Sequence, residues 1–213
     1  MGFIRTIRFC LIFAVVLSSA ARAEAYNVLV MGDSISAAYG ISEQDGWVSL
    51  AEKQLRKEGF DVTFVNASIS GDTTGGGLRR LPDALDRFNP DLLVIELGGN
   101  DGLRGYPTNA MQKNLESMAT IATTYGADVL IQGMMIPSNY GAAYLRLFAK
   151  AFETAAANTD SLFLPFLLQP IAHDRNYFQS DGIHPTAEAQ PLLMLHTLPL
   201  IKSAMTKAHA HVQ

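Results

Sequence analysis

The chain has 213 residues, 48% of them hydrophobic and 17% charged, enough for one well-buried domain and short for two. Its formal net charge of −4 excludes a nucleic-acid partner held by excess positive charge. A single cysteine, Cys10, excludes a disulfide framework.

Arg5 and Arg8 flank an apolar run from Phe9 to Leu17, and small residues follow, ending in Ala21-Arg22-Ala23. A basic start, an apolar stretch too short to span a bilayer and an A-x-A site describe a secretory signal peptide over residues 1–23. Cleavage is expected after Ala23, with Ala25 as second choice, leaving a single domain over residues 24–213. The competing reading, a retained anchor, lacks a longer apolar run and a second basic flank. Cys10 lies at the beginning of the apolar run and leaves with it. The mature chain then carries no thiol and has 13 basic against 20 acidic residues, a net charge of −7, as expected of a soluble periplasmic or secreted protein.

From there apolar runs alternate with amphipathic stretches. Tyr26 to Met31, Val62 to Val65, Leu92 to Leu97, Val129 to Ile131 and Leu162 to Phe166 are short and nearly continuous, the pattern of strands buried on both faces. Between them Trp47, Leu50, Ala51 and Leu55 recur at helical spacing, as do Leu78, Leu81, Leu85 and Phe88. Two further sets, Met111 to Tyr125 and Tyr144 to Ala155, do the same. This predicts an α/β fold with helices on both sides of a parallel sheet of about five strands, in the flavodoxin-like order 2-1-3-4-5. A last helix is expected from about Thr186, with Pro191 early and Pro199 as a kink or break. Gly75-Gly76-Gly77 reads as part of a β–α connection. The tail after Lys202 is polar, and His209 and His211 read as a frayed terminus before they read as metal ligands.

The first strand stops against Gly32 in Met31-Gly32-Asp33-Ser34-Ile35-Ser36 and delivers Ser34 into what reads as a helix start, exposing one side chain at the sheet rim beside unpaired N–H groups. An isolated Gly-Asp-Ser is more simply a helix cap. The other polar blocks decide. The second strand ends in Asn66-Ala67-Ser68-Ile69-Ser70-Gly71-Asp72, the third in Gly98-Gly99-Asn100-Asp101, and Asp181-Gly182-Ile183-His184-Pro185 follows the fifth. Each block has a structural explanation: turn glycines, Asn100 for a left-handed bend, Asp181 for a cap, His184 as a satisfied loop histidine. All four arrive on the rim where an open parallel sheet binds its ligands.

Those residue types suit nucleophilic catalysis. Ser34 is the candidate nucleophile, His184 the base that takes its proton, and Asp181, three residues earlier, the group that fixes the imidazole tautomer. The backbone N–H groups of Ser34 and Gly71 and the side-chain amide of Asn100 are the candidate oxyanion donors, glycine at 71 letting the backbone approach the substrate. Asp33 is not the triad acid, because successive side chains point apart. A metal site of Asp181 and His184 lacks further ligands, so no metal and no cofactor is expected.

In these blocks the chain resembles the SGNH hydrolases (the GDSL esterase/lipase group). Gly32-Asp33-Ser34 matches block I, Gly71 block II, Gly98-x-Asn100-Asp101 block III and Asp181-x-x-His184 block V. Residues 66–74 and 96–105, with Asn139-Tyr140-Gly141 and Ala189-Gln190-Pro191, are similar to the bacterial periplasmic thioesterase I/lysophospholipase/arylesterase branch. The resemblance spans essentially the whole mature chain. It implies a three-layer α/β/α fold, a Ser34, Asp181, His184 triad with the oxyanion donors named above, and a segment from about Asp101 to Pro107 that moves on acyl-chain binding. Ile35 replaces a usual leucine, a volume-conserving swap. Ala142-Ala143 stands where such relatives carry charged residues, so no preference for anionic head groups carries over.

The expected function is a serine esterase acting on carboxylic esters and acyl thioesters, a small-molecule or lipid substrate being the partner, with no stable membrane anchor and a monomeric state. Acyl-CoA is a surrogate outside the cytoplasm, and lysophospholipids or small acyl esters fit better. Asp33, Asp101, Leu103, Tyr106, Ile136 and Ile183 are the candidate substrate contacts; Met134 joins Leu103, Tyr106 and Ile136 as acyl-pocket lining or ordinary core. Two alternatives use the same fold: a carbohydrate acetylesterase on the same triad, and a non-catalytic periplasmic lipid-binding module.

Overall fold

The computed structural model describes residues 25–211, and side chains only as far as residue 207. The signal-peptide assignment therefore lies outside the described residues, as does any role for the side chains of His209 and His211. Five strands form one all-parallel sheet: β1 (Tyr26–Gly32), β2 (Val62–Asn66), β3 (Leu92–Glu96), β4 (Asp128–Gln132) and β5 (Leu162–Leu164). Their order is 2-1-3-4-5, as expected. Val28 to Met31 and Leu92 to Ile95 have no accessible surface, because these central strands are covered on both faces.

The helices complete the covering. α1 (Trp47–Lys57) packs against α6 (Gln190–His211) on one side of the sheet. On the other, α4 (Thr108–Thr124) lies between α2 (Thr74–Phe88) and α5 (Ala142–Asn158). Each presents the stripe read from its spacing: Trp47, Val48, Ala51 and Leu55 are buried from α1, and Met111, Leu115, Met118 and Ala122 from α4. A fully buried leucine contributes about 2 kcal/mol. α3 (Gly99–Leu103) is a single short helix on the rim.

Several boundaries differ from expectation, each for a local reason. β5 stops at Leu164 and not at Phe166, since Pro165 has no N–H to give the ladder. The glycine run lies inside α2, not in the connection before it; Thr73 caps the helix by accepting the Gly76 N–H at 3.2 Å. α6 begins four residues after Thr186, following a 3₁₀ turn at Ala187–Ala189, and runs unbroken through Pro199 to His211. Pro199 is exposed, as is Leu195 one turn earlier, the residue whose carbonyl a proline at 199 cannot pair with. The stretch after Lys202 is thus helix, not a loose tail.

Candidate active site

Ser34 leaves β1 on a turn rather than a helix. The Ala37 N–H donates to the Asp33 carbonyl at 2.9 Å and the Tyr39 N–H to the Ser34 carbonyl at 3.1 Å, but Ala38 has φ of 57° and stops propagation. Polar side chains take over the backbone groups a helix would use. Asn66 Nδ2 donates to the Ser36 carbonyl at 2.8 Å, and a Glu96 oxygen accepts the N–H groups of Asp33 and Ser36, both at 3.3 Å. The same oxygen accepts the Ser36 hydroxyl at 2.7 Å, and Trp47 Nε1 donates to Ser36 Oγ at 3.1 Å. Glu96 thus forms a buried post under the Ser34 turn. Burial, with Asp33 nearby, pushes its carboxyl well above the usual range.

His184 stands between the serine and an acid. Its Nε2 is 2.9 Å from Ser34 Oγ, and its Nδ1 is 2.6 Å from Asp181 Oδ2. A carboxylate accepts only, so Nδ1 carries the proton and Nε2 is free to accept from the serine. Asp181 Oδ1 also accepts the N–H groups of Ile183 at 2.9 Å and His184 at 3.0 Å. The bonds from the His184 ring, then from the His184 and Ile183 backbone, hold the Asp181 carboxyl down at about 2. The cap read for Asp181 and its orienting contact to His184 are therefore one arrangement.

The other two blocks close around the hydroxyl. The N–H groups of Ser34 and Gly71 donate to no protein acceptor among the described residues, and Arg104 pins the Gly71 peptide by donating to its carbonyl at 3.0 Å. Asn100 sits in the first turn of α3, not in a left-handed bend; that conformation belongs to Gly98, with φ of 121°. A Cβ on Gly98 would lie 2.6 Å from Phe152 Cζ, so only glycine turns the chain there. Asn100 Nδ2 donates to Asp33 Oδ2 at 3.0 Å, and the second hydrogen of that amide stays available. Asp33 is 3% exposed, and burial pushes its carboxyl up to about 6 against the opposing bonds from Ile35 and Asn100.

A cavity of about 530 Å³ opens beside Ser34, lined on its far side by Met134, Met135, Ile136, Phe166 and Leu168. Of the candidate contacts, Asp33, Leu103, Ile136 and Ile183 line it. Asp101 and Tyr106 do not. Asp101 is buried and turned toward α2, accepting from Thr74 Oγ1 at 2.6 Å and from the Thr74 N–H at 2.8 Å. Tyr106 contributes its carbonyl to the Tyr144 hydroxyl at 2.7 Å, as Leu103 does to Tyr140. Sequence reasoning missed Glu96, whose signal was a lone carboxylate closing an apolar run, and Tyr39, whose ring centroid lies 4.4 Å from that of His184. Among the described residues no cluster of three or more His, Cys, Asp or Glu is placed to hold a metal.

The chain is similar to several known proteins. The model of the GDSL-like lipase/acylhydrolase family matches residues 30–191. Esterase TesA of Pseudomonas aeruginosa is 48% identical over 181 residues, 85% of this chain and 90% of that protein. A crystal structure of TesA superposes with a TM-score of 0.81 at 47% identity, covering 84% of this chain and 99% of that one. An arylesterase of Vibrio mimicus is 42% identical over 81% of this chain and 86% of its own. Thioesterase 1/protease 1/lysophospholipase L1 of Escherichia coli K12 is 36% identical over 85% of this chain and 86% of its own. The chain belongs to the GDSL-like lipase/acylhydrolase family. The ester-bond hydrolase of the SGNH group expected from the sequence stands with it.

Proposed function

We propose that the protein is a periplasmic or secreted serine esterase, cleaving carboxylic esters and acyl thioesters through an acyl-enzyme on Ser34. Ser34 Oγ attacks the acyl carbon while its proton passes to His184 Nε2, and Asp181 steadies the imidazolium. The oxyanion of the tetrahedral intermediate is met by the N–H groups of Ser34 and Gly71 and by the free hydrogen of the Asn100 amide. Collapse expels the alcohol or thiol, which takes the proton from His184. A water then repeats the sequence to release the acid and restore Ser34. No metal or cofactor enters these steps.

The observation that carries this reading is His184 bridging Ser34 Oγ at 2.9 Å and Asp181 Oδ2 at 2.6 Å. The names borne by the relatives, esterase, arylesterase and thioesterase/lysophospholipase, support the same bond classes. The methionine, isoleucine, leucine and phenylalanine lining favours an acyl chain over an acetylated sugar. No described helix is long and apolar enough to cross a membrane. Hydrolysis of p-nitrophenyl esters from acetyl to palmitoyl tests the reading. Rates should peak at medium or long chains and fall on the order of 10⁶-fold in Ser34→Ala. Full activity in that variant would overturn the assignment of Ser34.

A further inference from the structure

His184 and Asp181 ride on a hairpin that touches the nucleophile turn along one seam. The Phe178 and Pro185 bridge, the Gln179 N–H to His184 carbonyl bond at 2.8 Å and the Thr186 N–H to Tyr177 carbonyl bond at 2.8 Å form the hairpin. None of these ties it to Ser34. The tie is Gln179. Its Nε2 donates to the Tyr39 carbonyl at 2.7 Å, on the nucleophile turn, and to the Pro185 carbonyl at 3.0 Å, one residue beyond the base. Both partners are acceptors only, so the NH₂ end of the amide must face them, and both of its hydrogens are used. The amide oxygen lies over Gly40, where an added Cβ would stand 2.2 Å from it; no side chain fits at residue 40 while Gln179 holds this position.

We infer that Gln179 is a positioning residue that fixes the distance from Ser34 Oγ to His184 Nε2 by bridging the nucleophile turn to the base hairpin. It is absent from the cavity lining, so it reaches the reaction only through His184 and Tyr39. Tyr39 completes the seam: its carbonyl takes the Gln179 amide while its ring packs on the imidazole. A base 1 Å out of place loses about 10²-fold in rate, so a strut of two hydrogen bonds has leverage on kcat beyond its share of stability.

This inference rests on the triad reading, and the test separates the two. Gln179→Met, matched in size but without donors, and Gln179→Ala are compared with wild type and Ser34→Ala at a temperature where all are folded by circular dichroism. Two quantities are read: ester hydrolysis, resolved into kcat and KM, and the rate at which a small p-nitrophenyl alkylphosphonate modifies the nucleophile. The expected result is a kcat about 10- to 100-fold lower in both Gln179 variants, KM within about twofold, and phosphonylation slowed in parallel. A folded variant that phosphonylates at the wild-type rate, or whose loss lies in KM alone, overturns the inference. Ser34→Ala reacting like wild type would instead overturn the triad reading itself.

Discussion

Asn100 has two hydrogens on its side-chain amide and gives one to Asp33 at 3.0 Å, leaving the other for a ligand in the cavity that Asn100 and Ser34 both line. An oriented donor in a site lined by apolar groups stabilises the developing oxyanion without reorganising, and losing one such donor costs about 10² to 10³ in kcat. Asn100→Ala should therefore lower kcat by that factor and leave KM within a few-fold, as measured by steady-state ester hydrolysis. A loss confined to KM would place Asn100 in ground-state binding instead. Ser34, Gly71, Asn100, Asp181 and His184 could be singled out as candidates in the sequence, because the residue type suggests the chemistry and the strand ends suggest the place, and the fold brings them to one rim. Asp101 and Tyr106, expected as substrate contacts, do not line the cavity, and for Asp101 the reason is physical. Lying next to Asn100 on a short helix, Asp101 points away from it, and a sequence does not say that Thr74 waits there with two donors.

At the scale of elements, the rim depends on how strands stop. β3 ends at Glu96, Leu97 is buried, and Gly98 at φ of 121° swings the chain so that α3 begins with Asn100 in its first turn. Gly98→Ala meets both the backbone penalty and the packed ring of Phe152, which together should lower stability by about 3 kcal/mol in urea unfolding. Activity should fall in the fraction that still folds, because Asn100 moves with the turn. The strands and long helices were readable because burial on two faces or on one stripe leaves a periodic record. The Ser34 turn was not: it looks like a helix start, Ala38 at φ of 57° ends it, and the side chains that take over its backbone groups, Asn66 and Glu96, lie 30 and 60 residues from Ser36. Pro199 misled in the opposite direction: the helix continues through it, with Pro199 and Leu195, one turn earlier, both exposed.

Across the whole molecule, parallel order 2-1-3-4-5 gathers four separate segments at one edge of the sheet. This convergence leaves two carboxyls, Asp33 and Glu96, buried beside the Ser34 turn with affinities for protons raised by burial. A carboxyl that binds its proton more tightly folded than unfolded adds stability as pH falls from its folded value toward about 4. Asp181, held at about 2, acts in the opposite sense, and its contribution is lost as pH drops below about 4 toward 2. The melting temperature should accordingly rise from pH 7 to about 5 and fall below about 4. Glu96→Gln should flatten the first of these slopes and leave the second. A Glu96→Gln profile parallel to wild type above pH 5 would show that the buried carboxyl does not govern that slope.

The central claim is that Ser34 becomes covalently acylated with help from His184. The most direct measurement is intact mass followed by peptide mapping after treatment with a p-nitrophenyl alkylphosphonate, which the nucleophile attacks as it would an ester. One adduct per chain is expected, on the peptide holding Ser34, missing in Ser34→Ala and formed several orders of magnitude more slowly in His184→Ala. An adduct on another residue, or undiminished modification in Ser34→Ala, would contradict it.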